Sequence, residues 1–214
     1  MRQSKRAVNN TANVIAAFDF DGTITTRDTF LPFLRAAFGR RRLTGALMRL
    51  ALDVMGSSGR MRSRDALKAR LIAILFTGRD CSPLDAAARD FATRITTHLL
   101  RPRALERVRW HRERGHRLVL ISASLDIYLT HLVERLGFDD LLCTRLSRRD
   151  AVFDGRLVGN NCRGAEKVAR LEELIGGCEG YQIYAYGDSA GDREMLRAAD
   201  FPFCRRFRKR DDHA

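Results

Sequence analysis

The chain has 214 residues, 45% of them hydrophobic, and a formal net charge of +13. This hydrophobic content supports a domain with a buried core and excludes wholesale disorder. No window reaches the roughly 18 uninterrupted apolar residues of a membrane span, so we expect a soluble protein. The charge favours an anionic partner, such as nucleic acid, acidic lipid or a phosphorylated substrate, although arginine-rich composition is also typical of an ordinary solvated surface.

The N-terminal residues are polar and basic, and the apolar run that follows carries Asp19 and Asp21, which makes it a poor signal peptide. The five cysteines are widely spaced and form no C-x-x-C pair, so they indicate neither a zinc site nor a disulfide framework. A reducing compartment fits this pattern, and we expect a cytoplasmic protein.

The first predicted element is a buried strand over residues 14–20, V-I-A-A-F-D-F, followed by Gly22. Residues 29–100 then lack a clear strand and look helical throughout. Between residues 24 and 101 there are 15 Lys or Arg and 6 Asp or Glu, which places about +9 of the net charge there. This insertion is either an ordinary helical domain with a charged exterior or a lid that contacts an anionic substrate or surface.

The rest of the chain alternates between helices and apolar strands. The predicted strands cover residues 117–122 and 182–188, and residues 144–158 are predicted to form a hairpin or a paired edge. The predicted helices cover residues 103–114, 125–136, 165–175 and 193–199. The basic end, residues 203–214, is read either as a disordered solvated terminus or as a contact with an anionic surface.

This alternation predicts an α/β fold. Residues 1–28 and 101–214 would form a Rossmann-like, doubly wound parallel sheet with helices on both faces, and residues 29–100 an inserted all-helical domain. All three apolar strands run into polar residues at their carboxyl ends. In open α/β sheets, ligands bind at that edge.

Asp19 and Asp21 are the most informative residues at this edge. Two positions apart in a strand, they point to the same side. Such close carboxylates coexist if a divalent cation lies between them or if one is protonated. Taken alone, the segment D-F-D-G-T is more typical of an acidic turn that caps a helix than of a site.

Other polar residues follow the same pattern. Ser122 ends the second strand, where its hydroxyl would help to bind a phosphate or simply cap the next helix. Lys167 lies near the start of a predicted helix, where the helix dipole does not favour a cation. It would hold a phosphate or remain a solvated lysine. Asp188 and Asp192 follow the third strand and suit either Mg²⁺ or helix capping.

The chain thus has four polar motifs in a fixed order: D-x-D-G-T, the strand-end serine, the helical lysine and G-D-x-x-x-D. This set resembles the four motifs of the haloacid dehalogenase superfamily of phosphohydrolases. The position of the insertion resembles the phosphoserine-phosphatase-like branch, subfamily IB, with its C1-type helical cap. C-R-G-A-E-K-V-A-R-L around Lys167 and Y-G-D-S around Asp188 are most similar to phosphatidylglycerophosphatase C-like proteins. Residues 123–124 and 189–192 depart from the loops usual in phosphoserine phosphatase.

The resemblance implies an Mg²⁺-dependent phosphomonoester hydrolase in which Asp19 is the nucleophile that forms an aspartyl-phosphate and Asp21 is the general acid and base. The implied substrate-binding residues are Thr23, Ser122, Ala123 and Lys167. The implied Mg²⁺ ligands are Asp19, Asp21 through its backbone carbonyl, Asp188 and, close behind, Asp192.

Two substrate classes follow from the resemblance. One is a small phosphorylated metabolite, as for a phosphoserine phosphatase-like enzyme. The other is a phosphorylated lipid such as phosphatidylglycerol phosphate, which would place the protein at the acidic inner face of the membrane. A nucleic-acid-binding module is a distant alternative, because the sequence has no recognisable DNA- or RNA-binding motif.

Overall fold

The computed structural model describes residues 13–56, 63–205 and 207. The strands are β1 Val14–Phe18, β2 Arg79–Asp80, β3 Arg117–Leu125, β4 Asp140–Arg149, β5 Val152–Val158, β6 Gln182–Gly187 and β7 Phe201–Cys204. The helices are α1 Phe30–Gly56, α2 Arg64–Phe76, α3 Cys81–His98, α4 Pro102–Arg112, α5 Asp126–Leu136, α6 Ala165–Ile175 and α7 Arg193–Ala198. Among the described residues, no helix is both long and apolar enough to cross a membrane.

The sheet has the strand order β2-β5-β4-β3-β1-β6-β7. Five neighbouring strands are parallel to one another, namely β4, β3, β1, β6 and β7. β5 pairs antiparallel with both β4 and β2. Side chains of β1 alternate between two cores, as a strand covered on both faces requires. Ala16 and Phe18 join the core that includes α4 and α5, and Ile15 and Ala17 join the core that includes α6 and α7. The predicted α/β fold is confirmed.

The strand ends define the functional edge. β1 ends at Phe18, two residues earlier than predicted, because the chain turns over Phe20–Ile24 with Gly22 at φ 81°. β6 ends at Gly187, so Asp19 and Asp188 each lie one residue beyond a central strand. β3 runs on to Leu125, past the predicted end, with a register shift against β4 after Ser122. The edge is therefore built from three neighbouring strand ends.

Two parts of the sheet were not predicted. The first half of β4, which begins at Asp140, runs parallel to β3, whereas the prediction began the hairpin at residue 144. β7 adds parallel to β6, where Phe203 stacks on Tyr186 with ring centroids 4.8 Å apart. The prediction of a disordered end is therefore wrong for Phe203 and Cys204, which lie in β7, although Cys204 is exposed, and Phe207 is buried. Residues 206 and 208–214 of the basic end lie outside the described part, and so do the polar and basic N-terminal residues 1–12.

The insertion contains α1, α2 and α3, as predicted, and also the two-residue strand β2, which was not predicted. Backbone groups that flank β2 need partners, and Gly78 N donates to Phe153 O at 2.9 Å while Cys81 N donates to Ala151 O at 2.8 Å. The insertion is thereby joined to β5, and β2 becomes the outermost strand on this side of the sheet. Its two ends meet at a bridge between Thr25 and Leu100.

Candidate active site

Lys167 is the centre of the buried charge network. The first turn of α6 directs its ammonium to the sheet edge, where Nζ donates to Asp19 Oδ1 at 2.6 Å, to Asp192 Oδ1 at 2.6 Å and to Ile121 O at 2.9 Å. The residue is only 1% exposed. Lys167 is therefore not a solvated surface lysine, and two carboxylates explain why a cation is stable near this helix N-terminus.

Asp192 links this lysine to the loop after β6. Its second oxygen, Oδ2, accepts from Ser189 Oγ at 2.8 Å, from Ser189 N at 3.0 Å and from Asp188 N at 3.2 Å. A Cβ on Gly187 would lie 2.5 Å from Asp192 Cβ, so glycine at the end of β6 makes room for the side chain. Asp192 therefore caps the turn after β6, as one reading of the sequence predicted, and its other oxygen faces the buried lysine.

Three carboxylates converge at this edge. One oxygen each from Asp19, Asp188 and Asp192 lies within 4.8 Å of the other two. Gly22 lets Asp188 approach the turn, because a Cβ there would lie 2.8 Å from Asp188 Cγ and the backbone φ is 81°. The carboxylate oxygens form a donor set that fits a hard cation such as Mg²⁺. Asp21 is not part of this side-chain group.

The buried charges shift one another's pKa. Burial raises the pKa of Asp19 to about 8, with Lys167 opposing and Asp192 adding to the rise. Burial has the same effect on Asp192, but Lys167 outweighs it and lowers that pKa. Burial would lower the pKa of Lys167, yet the two carboxylates outweigh it and raise the pKa. The Lys167 ammonium is therefore the shared cationic partner of two buried carboxylates, and a divalent cation would balance the remaining negative charge of the three carboxylates.

Asp21 lies in a different environment. Its Oδ1 accepts from Thr29 N at 2.8 Å and from Thr29 Oγ1 at 2.6 Å, and its Oδ2 accepts from Ser124 Oγ. Burial raises the pKa of Asp21 to about 6, with Asp28 adding to the rise and the Ser124 and Thr29 hydrogen bonds opposing it. A carboxyl group that exchanges its proton near neutral pH suits general acid–base chemistry.

The predicted phosphate-binding residues do not all lie together. Ser122 and Ala123 line a cavity of about 380 Å³ together with Lys167 and the edge carboxylates. Ser122 Oγ accepts from Ser124 N at 3.0 Å. Thr23 does not line the cavity, and its buried hydroxyl has no hydrogen-bond partner in the described structure. A phosphate-binding role for the Thr23 side chain stays a prediction.

Sequence reasoning missed three arginines that line the same cavity, Arg27, Arg64 and Arg163. Within the described part of the chain, none of them forms an ion pair. They come from the turn before α1, the start of α2 and the loop before α6. No local pattern brings these segments together, although the arginine-rich composition of the insertion was a general signal. Their free guanidinium groups add positive potential for an anionic ligand.

Lys68 was also missed. Its Nζ crosses from α2 to the sheet edge, where it donates to Ala123 O and, at 2.8 Å, to Asn161 Oδ1. Asn161 Nδ2 in turn donates to Asp65 Oδ1 at 2.6 Å. Burial lowers the pKa of Lys68 to about 8, while Asp21 opposes the shift. These contacts fasten the insertion to the edge that carries the carboxylates.

Comparison with known proteins gives a family match that covers most of the chain. Residues 16–197 match the family described as haloacid dehalogenase-like hydrolase. Protein CicA of Caulobacter vibrioides is 39% identical over 205 residues, which cover 91% of this chain and 87% of CicA. Phosphoserine phosphatase of Polaromonas sp. is 27% identical over 193 residues, which cover 86% of this chain and 75% of that enzyme.

A solved structure extends the likeness to the fold. A substrate-bound phosphoserine phosphatase superposes with a TM-score of 0.62 over 90% of this chain and 85% of that one. The sequence identity is 19%, so this likeness concerns the fold alone.

Proposed function

The chain belongs to the haloacid dehalogenase-like hydrolases and is a phosphatase of that family, and we propose that it hydrolyses phosphomonoesters with Asp19 as nucleophile and Mg²⁺ as cofactor. The observation that carries this proposal is the convergence of Asp19, Asp188 and Asp192 within 4.8 Å, beside a separately held Asp21. Phosphoryl transfer depends chiefly on positioning and charge stabilisation, which such a group of residues supplies.

In the proposed reaction, a carboxylate oxygen of Asp19 attacks phosphorus, and the bond from phosphorus to the ester oxygen breaks. Asp21 gives its proton to the departing oxygen and later takes one from the water that hydrolyses the aspartyl-phosphate. Lys167 remains charged and holds the attacking carboxylate in place through its 2.6 Å hydrogen bond.

Asp19, Asp188 and the backbone carbonyl of Asp21 would hold Mg²⁺, with Asp192 close behind. The bound ion supplies positive charge that reduces repulsion between the substrate phosphoryl group and Asp19. We assign the phosphoryl oxygens to Ser122, Ala123 and Lys167, which line the cavity next to Asp19.

We further propose that residues 29–100 act as a cap on a core formed by residues 1–28 and 101–214. The support is that α2 contributes Arg64 to the cavity wall and sends Lys68 to Ala123. A segment that reaches the cavity from outside the sheet is placed to contact the leaving group and to limit water access.

Two substrate classes have support. The similarity to the Polaromonas phosphoserine phosphatase favours a soluble metabolite. A second cavity of about 710 Å³ favours a phosphorylated lipid, because apolar Leu31, Pro32 and Phe91 line it together with Arg35. Arg27 lines both this cavity and the one at Asp19, so an amphiphilic leaving group would have an apolar, cationic surface beside the reaction centre. A lipid substrate would place the protein peripherally at the inner face of the membrane.

A phosphatase screen with and without Mg²⁺ tests these proposals. Its substrates are soluble phosphomonoesters that include phosphoserine, and vesicles that contain phosphatidylglycerol phosphate. We expect Mg²⁺-dependent phosphate release that the Asp19→Asn variant lacks. Activity in excess chelator would contradict the cofactor assignment, and release from soluble esters alone would contradict the lipid candidate.

A further inference from the structure

The second half of α1, residues 40–56, has an uncovered apolar face. Gly39, at φ 76°, interrupts the helix before it. Met48, Leu52 and Met55 are 65%, 67% and 83% exposed, and their spacing of four and three residues places them on one side of the helix. A contiguous apolar surface of this kind on a folded protein is typical of an interaction site.

The opposite side of the same helix is packed against the protein. Ala46 is buried in the core, and Leu43 and Leu50 are half-buried against it. The helix is therefore held by one apolar side while a second apolar side is presented outward. The outward residues are not needed to hold the helix in place.

Positive charge borders this outward face. Arg40, Arg41, Arg42 and Arg49 are all exposed. The only acidic residue between positions 40 and 56 is Asp53, which is half-buried and accepts from Arg70 Nε at 2.6 Å. Among the described residues, none of these four arginines forms an ion pair, so the face combines apolar side chains with guanidinium groups that can meet an anionic partner.

This charge distribution decides between candidate partners. A second copy of the chain would bring two sets of arginines together, and like charges at short distance repel. An acidic phospholipid leaflet offers both complements, an apolar interior below the headgroups and negative charge at the surface. Arginine side chains on such a helix can extend to lipid phosphates while their neighbours enter the acyl boundary.

We propose that residues 40–56 of α1 dock this protein onto membrane leaflets that contain acidic phospholipids. Met48, Leu52 and Met55 enter the boundary between headgroups and acyl chains, and Arg40, Arg41 and Arg42 contact lipid phosphates. This inference deepens the lipid candidate of the proposed function, but docking itself requires no chemistry at Asp19. The catalytically disabled Asp19→Asn variant is therefore expected to dock as well as the wild type.

Vesicle cosedimentation of the full chain tests the proposal, with phosphatidylcholine vesicles and with phosphatidylcholine mixed with phosphatidylglycerol. We expect binding to the mixed vesicles only, weakened by salt. The variant M48E/L52E/M55E should bind at least about tenfold more weakly, since it places carboxylates at the apolar boundary. R40Q/R41Q/R42Q should bind the mixed vesicles roughly 100-fold more weakly, since each basic residue near the surface contributes about fivefold to the affinity.

Matched controls come from the β4–β5 hairpin, whose exposed residues lie outside the proposed surface. R145Q/R149Q/R156Q removes the same net charge, and Val158→Glu changes another exposed apolar residue, so both should bind like the wild type. Circular dichroism and urea midpoints establish that each variant is folded.

The proposal is overturned if the wild type does not bind acidic vesicles at low salt. It is also overturned if M48E/L52E/M55E binds undiminished, or if the hairpin variant R145Q/R149Q/R156Q loses as much affinity as R40Q/R41Q/R42Q. A wild-type dimer that M48E/L52E/M55E converts to monomer would assign the face to a second copy instead. Vesicle binding without any phosphatase activity would support docking while rejecting the proposed function.

Discussion

The ammonium of Lys167 lies 2.6 Å from the carboxylate of Asp19, although the two residues are 148 positions apart and both are buried. The pair joins the end of the central strand β1 to the first turn of α6. A buried ion pair is not by itself strong stabilisation, but removal of one partner leaves the other charge without compensation. This makes the site unusually sensitive to the loss of one charge.

Lys167→Met should destabilise the protein by about 3–5 kcal/mol in the absence of divalent cations, because Asp19 and Asp192 would then lack their shared cation. Urea unfolding in chelator measures this loss. Mg²⁺ should restore more stability to this variant than to the wild type, whereas Lys167→Arg should retain much of the stability. An unchanged urea midpoint for Lys167→Met in chelator would contradict the account.

Gly22→Ala should weaken the binding of Mg²⁺ at the carboxylates. The new Cβ would lie 2.8 Å from Asp188 Cγ and displace that carboxylate, in addition to a backbone cost of about 1–3 kcal/mol at φ 81°. Gly115→Ala is a matched control, because Gly115 has φ 69° but nothing within 4 Å of its added Cβ. We expect only Gly22→Ala to require a higher Mg²⁺ concentration for half-maximal activity. Equal Mg²⁺ dependence in the two variants would argue against the role of Asp188.

Asp21→Asn should lower turnover by about 10²- to 10⁴-fold, the range for loss of a general acid and base. The amide keeps the shape of the carboxylate, its oxygen can still accept from Thr29, and its nitrogen can donate to Ser124 Oγ, so the fold should be retained. Asp28→Asn removes another carboxylate from the cavity wall without removing the proposed acid and should cost less than about tenfold. Steady-state kinetics on one phosphomonoester compares them, and similar losses in both variants would rule out a specific role for Asp21.

Stability should fall in mild acid because of His111. This fully buried ring lies 2.9 Å from Tyr186 Oη and 2.7 Å from His116 Nδ1. Burial lowers the pKa of His111 to about 3, with the charges of His116, Arg107 and Arg114 adding to the effect. The unfolded chain takes up this proton near pH 6.5, so the contribution of His111 is complete above pH 6.5 and is lost as the pH falls towards 3.

At about pH 5 this effect amounts to roughly 2 kcal/mol relative to neutral pH. Urea unfolding at both pH values measures it. The His111→Asn variant does not titrate at this position, so its stability should depend less on pH than that of the wild type. Parallel pH dependence in the two proteins would show that His111 does not contribute.

The sheet edge and its carboxylates were predictable from sequence because each depends on a local pattern. Apolar runs that end in polar residues placed Asp19 and Asp188 at neighbouring strand ends, and the structure has both one residue beyond β1 and β6. The position of Lys167 near a helix N-terminus indicated that a local reason was needed, but the sequence predicted a phosphate or solvent there and not the two carboxylates. The contact of Lys167 with both carboxylates could be found only in the folded structure, because it joins three segments that are distant in sequence.

Features that depend on packing between distant segments were missed. Lys68 reaches Ala123 only because α2 folds back onto the sheet edge, and no period in the sequence specifies that approach. β7 was overlooked because Phe201–Cys204 is only four residues long and is followed by arginines, a composition that is typical of a solvated end. Its pairing with β6 depends on an edge that is available only after the sheet has formed.

The proposed reaction depends on a covalent phosphoryl intermediate at Asp19. Acid quenching of the enzyme during turnover of a phosphomonoester with Mg²⁺, followed by peptide mass spectrometry, would detect this intermediate. We predict phosphate on the peptide that contains Asp19 in the wild type, accumulation of that species in Asp21→Asn, and none in Asp19→Asn, which should also lack turnover. Wild-type turnover by Asp19→Asn, or phosphate on a different residue, would contradict the account.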